Sequence, residues 1–180
     1  MPNQQPRITD ATGRREFVCS PAAVLAFIVD QSERFLMLAH PRRPDRWEPV
    51  NGALDAEETI LEAVLRETCE EAGDQIQVRP LGTVHAYTYR FDDSAQFMIS
   101  IAYLLAYEGG EVIPGDDMTG SEVRWMTVEE LTDGRVDVIV PQDQAWLYHR
   151  ALELYRLWKD QSPALLQPLF DETTRNKYSR

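Results

Sequence analysis

The chain has 180 residues, 43% hydrophobic and 27% charged, the length and balance of one soluble domain able to bury a substantial core. Its net charge of -12 argues against a nucleic-acid backbone as partner, since no dense basic stripe exists to neutralise phosphates. The sequence contains no signal-peptide or membrane-span pattern, and Cys19 and Cys69 are too few for a disulfide framework and wrongly spaced for zinc, so a cytoplasmic protein with no membrane partner is expected.

Residues 1–17 are polar and proline-bearing and read as a flexible arm, with a single domain expected over 18–162. The apolar run AAVLAFIV, Ala22–Val29, is followed after the polar turn DQSER by FLMLA, Phe35–Ala39. Two such runs predict a hairpin in a sheet covered on both faces. The loop HPRRPDRW, residues 40–47, is fixed by Pro41 and Pro44 and presents Arg42, Arg43 and Arg46. These arginines are candidates for a substrate phosphate, because a guanidinium fork matches phosphate oxygens.

Residues 52–74, GALDAEETILEAVLRETCEEAGD, are expected to hold one helix. Asp55 and Glu58 have capping-box spacing and place its start at Asp55. Ile60, Leu61, Val64, Leu65, Thr68 and Ala72 gather on one mostly apolar face, and Gly73 ends it in a left-handed turn. Glu67, Glu70 and Glu71, at i, i+3 and i+4, form one acidic cluster at the edge of that face. They occupy the final turns, where the helix dipole disfavours each anion by roughly 0.3–1 kcal/mol. Arg66 is the one cation in the helix and is expected to lie nearer Glu62 and Glu70 than Glu71. A solvated acidic face would need no further partner, but a divalent cation would relieve this crowding. Carboxylate oxygens without suitably spaced histidine or cysteine favour Mg²⁺, with Mn²⁺ as substitute, over zinc.

The segment resembles the Nudix box, G-x5-E-x7-R-E-U-x-E-E-x-G-U, at every fixed position: Gly52, Glu58, Arg66, Glu67, Glu70, Glu71 and Gly73. Seven such matches arise by chance roughly once in 10⁸ windows. It departs at the two aliphatic positions, occupied by Thr68 and Asp74, and has Asn51 where many members carry a second glycine. The resemblance implies a loop, helix and loop that bind divalent metal on a diphosphate. Glu67, Glu70, Glu71 and the Gly52 carbonyl would be metal ligands, Arg66 would orient a box glutamate, and Glu58 would brace the box.

Beyond the box, residues 76–91 form an alternating strand with His85, Tyr87, Tyr89 and Phe91 on one side. That aromatic face is ordinarily core; Tyr87 and Tyr89 are also candidates for stacking on a base. Residues 95–107 are apolar on both faces and predict a central strand. A loop over 111–120 precedes the strand EVRWM, Glu122–Met126, and Thr127 caps a short helix. The resemblance implies an extra carboxylate from this region, with Glu122 ranked ahead of Asp116 and Asp117. Residues 141–160 predict a long helix opened by Pro141, with an apolar stripe wide enough for burial on two sides, as at a homodimer interface. Residues 163–180 are an expected apolar arm and polar tail.

The order of elements, and the resemblance over about residues 20–160, predict an α/β fold, an α/β/α sandwich around a mixed β-sheet. The expected activity is Mg²⁺-dependent pyrophosphohydrolysis of a nucleoside triphosphate-like or nucleoside diphosphate-X substrate, releasing a nucleoside monophosphate. The W-x-x-V-x-G run around Trp47 resembles the dATP and dihydroneopterin triphosphate branch. Tyr89, about sixteen residues beyond the box, resembles the tyrosine of dinucleoside polyphosphate hydrolases and supplies the alternative substrate. The absence of proline there counts against ADP-ribose. A non-catalytic nucleotide-sensing module is a further alternative, which would predict lost box carboxylates or an attached second domain.

Overall fold

The computed structural model describes residues 5–93, 97–140 and 142–161. The arm and tail expected over 163–180, and the proline expected to open the last helix, lie outside them. Strands β1 (Arg7–Thr9) and β2 (Glu16–Val18), every residue of them exposed, pair as a separate antiparallel ribbon where residues 1–17 are read as an arm, and the ribbon runs one residue past it. The main sheet comprises β3 (Ala22–Val29), β4 (Phe35–Ala39), β5 (Arg46–Glu48), β6 (Val50–Ala53), β7 (Gln77–Tyr89), β8 (Met98–Gly109), β9 (Glu122–Met126) and β10 (Asp137–Val138). Its principal order is β10-β5-β4-β3-β8-β7, with β6 also against β3 and β9 against β4.

Strand β3 organises this sheet. It runs parallel to β8 along its whole length and antiparallel to β6 through Ala23 to Ala26. With β3 and β8 parallel and most other pairs antiparallel, the sheet is mixed. Successive β3 side chains point to opposite faces. Leu25, Phe27 and Val29 enter one core; Val24, Ala26 and Ile28 enter the other. Helix α1 (Ile60–Ala72) covers the second face, while α2 (Val128–Thr132) and α3 (Trp146–Trp158) cover the first. The result is the expected α/β/α sandwich.

The helix in the box starts later than expected. Glu57 has a φ of 68°, outside the right-handed helical region, and Glu58 uses its carboxylate on the Asp55 N–H and Arg66. Thr59 is the N-cap instead, in a capping box with Glu62. The expected face is present in Val64, Thr68 and Ala72, with Ile60 and Leu61 packed against the core, but it is wider than expected and omits Leu65. Ala63, Val64, Glu67, Thr68, Glu71 and Ala72 are buried, whereas Leu65 is exposed. Two glutamates therefore occupy the face that periodicity assigned partly to leucines.

On the other face, Phe27, Phe35 and Tyr148 form a compact aromatic group with centroids 5.1–5.8 Å apart. Helix α3 begins at Trp146, after a 3₁₀ turn over Gln142–Gln144, rather than at 141. Leu147, Tyr148, Ala151, Leu152 and Tyr155 are its buried residues. In β7, a register shift between Thr83 and His85 interrupts the alternation. Val84 is thus buried in the α3-side core that also receives Tyr87. No described helix is long and apolar enough to cross a membrane.

Candidate active site

Strand β6 and the last turns of α1 converge to form the site. A Cβ on Gly52 would lie 2.0 Å from the Glu67 carboxyl carbon. Only a residue without a side chain leaves room for that carboxylate. One position earlier, the Asn51 N–H donates to Glu71 Oε2 at 2.9 Å. The backbone of β6 thus seats two box glutamates, one through space and one through a hydrogen bond.

Arg66 ties the other carboxylates together. Its Nε donates to Glu58 Oε1 at 2.8 Å, and Nη2 donates to Glu58 Oε2 at 3.0 Å and to the Ala53 carbonyl at 2.9 Å. Nη1 donates to Glu67 Oε1 at 2.7 Å and Glu70 Oε2 at 2.9 Å. The expected contact with Glu70 is present, and Glu62 accepts from the Thr59 N–H in the N-terminal capping box. The arginine fixes the Glu58 loop onto the helix. Its hydrogen bonds hold the Glu58 carboxyl below the usual carboxylate range.

Glu71 has a different environment. It is 7% exposed, and burial pushes its carboxyl up to about 8, against the lowering by the Asn51 N–H. The Glu67, Asp117 and Glu48 charges push it further in the same upward direction. Burial likewise raises Glu67, against the lowering by Arg66. Glu70 remains more exposed, and the last turn contains no basic residue. The helix end therefore crowds carboxyl groups that Arg66 alone does not balance, and in the metal-free chain burial holds a proton on Glu71 at neutral pH.

The loop after β8 closes this end of the helix. The Ile113 N–H donates to the Ala72 carbonyl at 2.9 Å, and the Gly115 N–H to the Glu71 carbonyl at 3.3 Å. These bonds satisfy two carbonyls that a helix end otherwise leaves open. Gly73 has a φ of 98° but an extended ψ of 158°, rather than the expected left-handed pair. A Cβ there would meet the Ile113 carbonyl at 2.5 Å, so glycine serves both the positive φ and the close crossing. The same loop leads into the 3₁₀ turn Asp116–Met118, with Met118 buried against the α1-side core.

The remaining candidates are dispersed. Glu122 is exposed at the start of β9, opposite Ala39, and is not among the main charges acting on Glu71, whereas Asp117 is. Arg42 and Arg43 are exposed and form no ion pair with the box among the described residues. Arg46 lies 3.9 Å from Asp137. Tyr87 and Tyr89, with ring centroids 6.1 Å apart, line a cavity of about 160 Å³ together with Asn51, Ser100 and Gln144. Asn51 therefore borders both the aromatic cavity and the carboxylates.

Sequence reasoning missed Glu48, Ser100 and Gln144, and treated Asn51 only as a departure from glycine. Glu48 is 5% exposed; an acid between Trp47 and Pro49 just before a strand was an available signal, since buried charge needs a reason. Ser100 and Gln144 carried no local signal, because tertiary folding brings them to the cavity.

Among the described residues, no three acidic, histidine or cysteine side chains form a ready-made metal-ligand set. The donor chemistry nevertheless fits a hard dication: carboxylates and a backbone carbonyl, with desolvated Glu71 facing mainly negative neighbours.

A mixed sheet between helices, with a glycine-seated glutamate helix on one face, defines a Nudix-type α/β/α domain. The NUDIX domain family profile matches residues 20–150, and the chain belongs to that family. It is 33% identical over 100 residues to the NAD-capped RNA hydrolase NudC of Deinococcus radiodurans, covering 54% of this chain and 32% of that protein. It is 31% identical over 104 residues to the ADP-ribose pyrophosphatase of Methanocaldococcus jannaschii, covering 57% and 60%. The chain thus spans less than two thirds of either relative. A NUDIX-family hydrolase structure from Clostridium perfringens aligns with a TM-score of 0.60 at 19% identity, over 74% of this chain and 96% of that one. This likeness concerns the fold.

Proposed function

We propose that this chain is a Mg²⁺-dependent pyrophosphohydrolase that cleaves a pyrophosphate bond in a nucleoside triphosphate-like or nucleoside diphosphate-X substrate and releases a nucleoside monophosphate. The observation that carries this reading is the buried Glu71 carboxylate, crowded by acids at a helix end and joined through Asn51 to an aromatic cavity. The names of the two curated relatives, ADP-ribose pyrophosphatase and NAD-capped RNA hydrolase, support the diphosphate-X form.

Glu67, Glu70, Glu71 and the Gly52 carbonyl would hold the dication, with Mn²⁺ as substitute. When bound, it supplies a Lewis acid for phosphoryl oxygens and a lowered pKa for attacking water. Glu58 and Arg66 position the carboxylates. Glu70, exposed and tied to Arg66, is our first choice to accept the water proton, with Glu71 and Glu122 as the other candidates. Tyr87 and Tyr89 would stack on the base, while Arg42, Arg43 and Arg46 would meet the phosphates.

The test is a phosphate-release screen with Mg²⁺ over nucleoside triphosphates, dinucleoside polyphosphates and nucleotide sugars, with Glu70→Gln and Glu71→Gln as controls. Turnover of one class, lost in the variants, is expected. Absence of turnover across the screen, or unchanged turnover in both variants, overturns the hydrolase reading.

A further inference from the structure

We infer that residues 164–170, ALLQPLF, dock in the groove between α1 and the start of β7 of their own chain. The groove measures about 370 Å³, with Leu65 and Cys69 on the helix side and Ile76, Gln77 and Val78 on the strand side. Leu65 and Cys69 lie at i and i+4, one above the other on the outer side of α1. Both are exposed. The helix that holds the box glutamates thus turns a partly apolar flank outward, against the first residues of an edge strand.

The occupant follows from where the described chain stops and the direction in which it is heading. Helix α3 runs along β7 toward that strand's first residues. Trp146, at its start, packs edge-on against His85 with ring centroids 5.0 Å apart. Trp158, at its end, faces Gly82, where a Cβ would come within 3.2 Å of the indole. Just past the helix, the Lys159 carbonyl accepts from Arg79 Nη2 at 2.6 Å. The β7 partners descend from His85 to Gly82 to Arg79, so the chain leaves α3 heading for Gln77 and Ile76, which line the groove. Strand β7 is the last of the sheet's principal order, so the route from the α3 face to the α1 face passes around a single strand.

The length of chain suffices. The five steps from Lys159 to Ala164 reach about 17 Å when extended, against roughly 10 Å along the strand from Arg79 back to Ile76. Residues 164–170 then bring Leu165, Leu166, Leu169 and Phe170 and no charge. Pro163 and Pro168 lack the N–H that continuous pairing along β7 would need. Side chains in the groove, rather than an added strand, therefore carry the contact, and no second copy is required.

The test reads the Cys69 thiol in the full chain bearing Cys19→Ser, where Cys69 is the sole cysteine. Alkylation of Cys69 by N-ethylmaleimide should be about tenfold slower than in the same chain with Leu165→Asp and Leu166→Asp added. In a second variant, Leu166→Cys in the Cys19→Ser chain, a short bismaleimide should join residue 166 to Cys69 within one chain, to an extent independent of protein concentration. Equal alkylation rates with and without the aspartates, no cross-link to Cys69, or a cross-link found only between two chains overturns the docking. Neither readout uses turnover, so its failure is separate from failure of the hydrolase reading.

Discussion

The two faces of the sheet are built to different ends. Beneath α3, Phe27, Phe35 and Tyr148 pack ring against ring in a core of apolar neighbours. Beneath α1, the helix buries Glu67 and Glu71 beside Ala63, Val64 and Ala72 while leaving Leu65 at the surface. A helix optimised only for stability would turn the other way, because desolvating carboxylates costs more than exposing a leucine. The α3 face supplies stability, and the α1 face gives up some of it to hold acids in place. Such a sacrifice is characteristic of functional sites.

The largest expected effect on this contrast comes from Glu71→Gln. It should lower Mg²⁺-dependent turnover by about 10²–10⁴-fold while raising the melting temperature of the metal-free protein at neutral pH. Activity and stability moving in opposite directions, by kinetics and calorimetry, mark an acid retained for function. Phe27→Ala on the other face should do the reverse, costing about 3–5 kcal/mol of stability by urea unfolding. Its residual folded fraction should retain metal binding.

Gly52→Ala sharpens the comparison without changing a charge. Its Cβ would overlap the Glu67 carboxylate, so Glu67 must move. Weaker Mn²⁺ binding by calorimetry is the expected outcome, with the circular dichroism of the fold retained. Unchanged Mn²⁺ affinity would separate the Gly52 cradle from metal binding.

The pH dependence follows from the direction of the Glu71 shift. Its carboxyl moves from an ordinary 4.5 up to about 8 in the folded chain, so the folded state retains a proton that the unfolded state releases. Below about 4.5 both states are protonated and there is no differential. Between about 4.5 and about 8 the metal-free protein should lose stability as pH rises. At its steepest, this loss is about 1.4 kcal/mol per pH unit. Urea midpoints over that window check it, and Glu71→Gln should flatten the slope.

The smallest effect belongs to the apolar face. The Tyr148 hydroxyl is buried without a partner among the described residues, so Tyr148→Phe should leave stability unchanged or raise it by up to about 1 kcal/mol. A clear loss by urea unfolding would contradict the absence of a stabilising bond there.

Much of this contrast was legible in the sequence, but unevenly. The unbroken apolar run Ala22–Val29 and the α3 stripe identified both covered layers, because a strand buried on two faces needs no polar alternation and a helix gathers one face at a period of 3.6. The box spacing brought Glu58, Arg66, Glu67 and Glu70 into one network, since residues on one helix and its entry loop are neighbours by construction. The burial of Glu67 and Glu71 was hidden: a periodicity argument assigns apolar residues inward and cannot register the Gly52 cradle and Asn51 N–H that draw glutamates under the helix. The Thr59 cap was obscured by the earlier Asp55 and Glu58 pair, whose spacing is the same. Ser100 and Gln144 reach their positions only through strand pairing and the turn before α3, which local patterns do not encode.

The central claim is that the acids at the end of α1 accept a hard dication. Mn²⁺ titration by calorimetry near neutral pH, in buffers of different ionisation enthalpy, measures this together with the proton held at Glu71. The account predicts saturable Mn²⁺ binding with release of about one proton, both strongly reduced in Glu71→Gln. No Mn²⁺ uptake by the wild type, or uptake identical in wild type and Glu71→Gln, would contradict it.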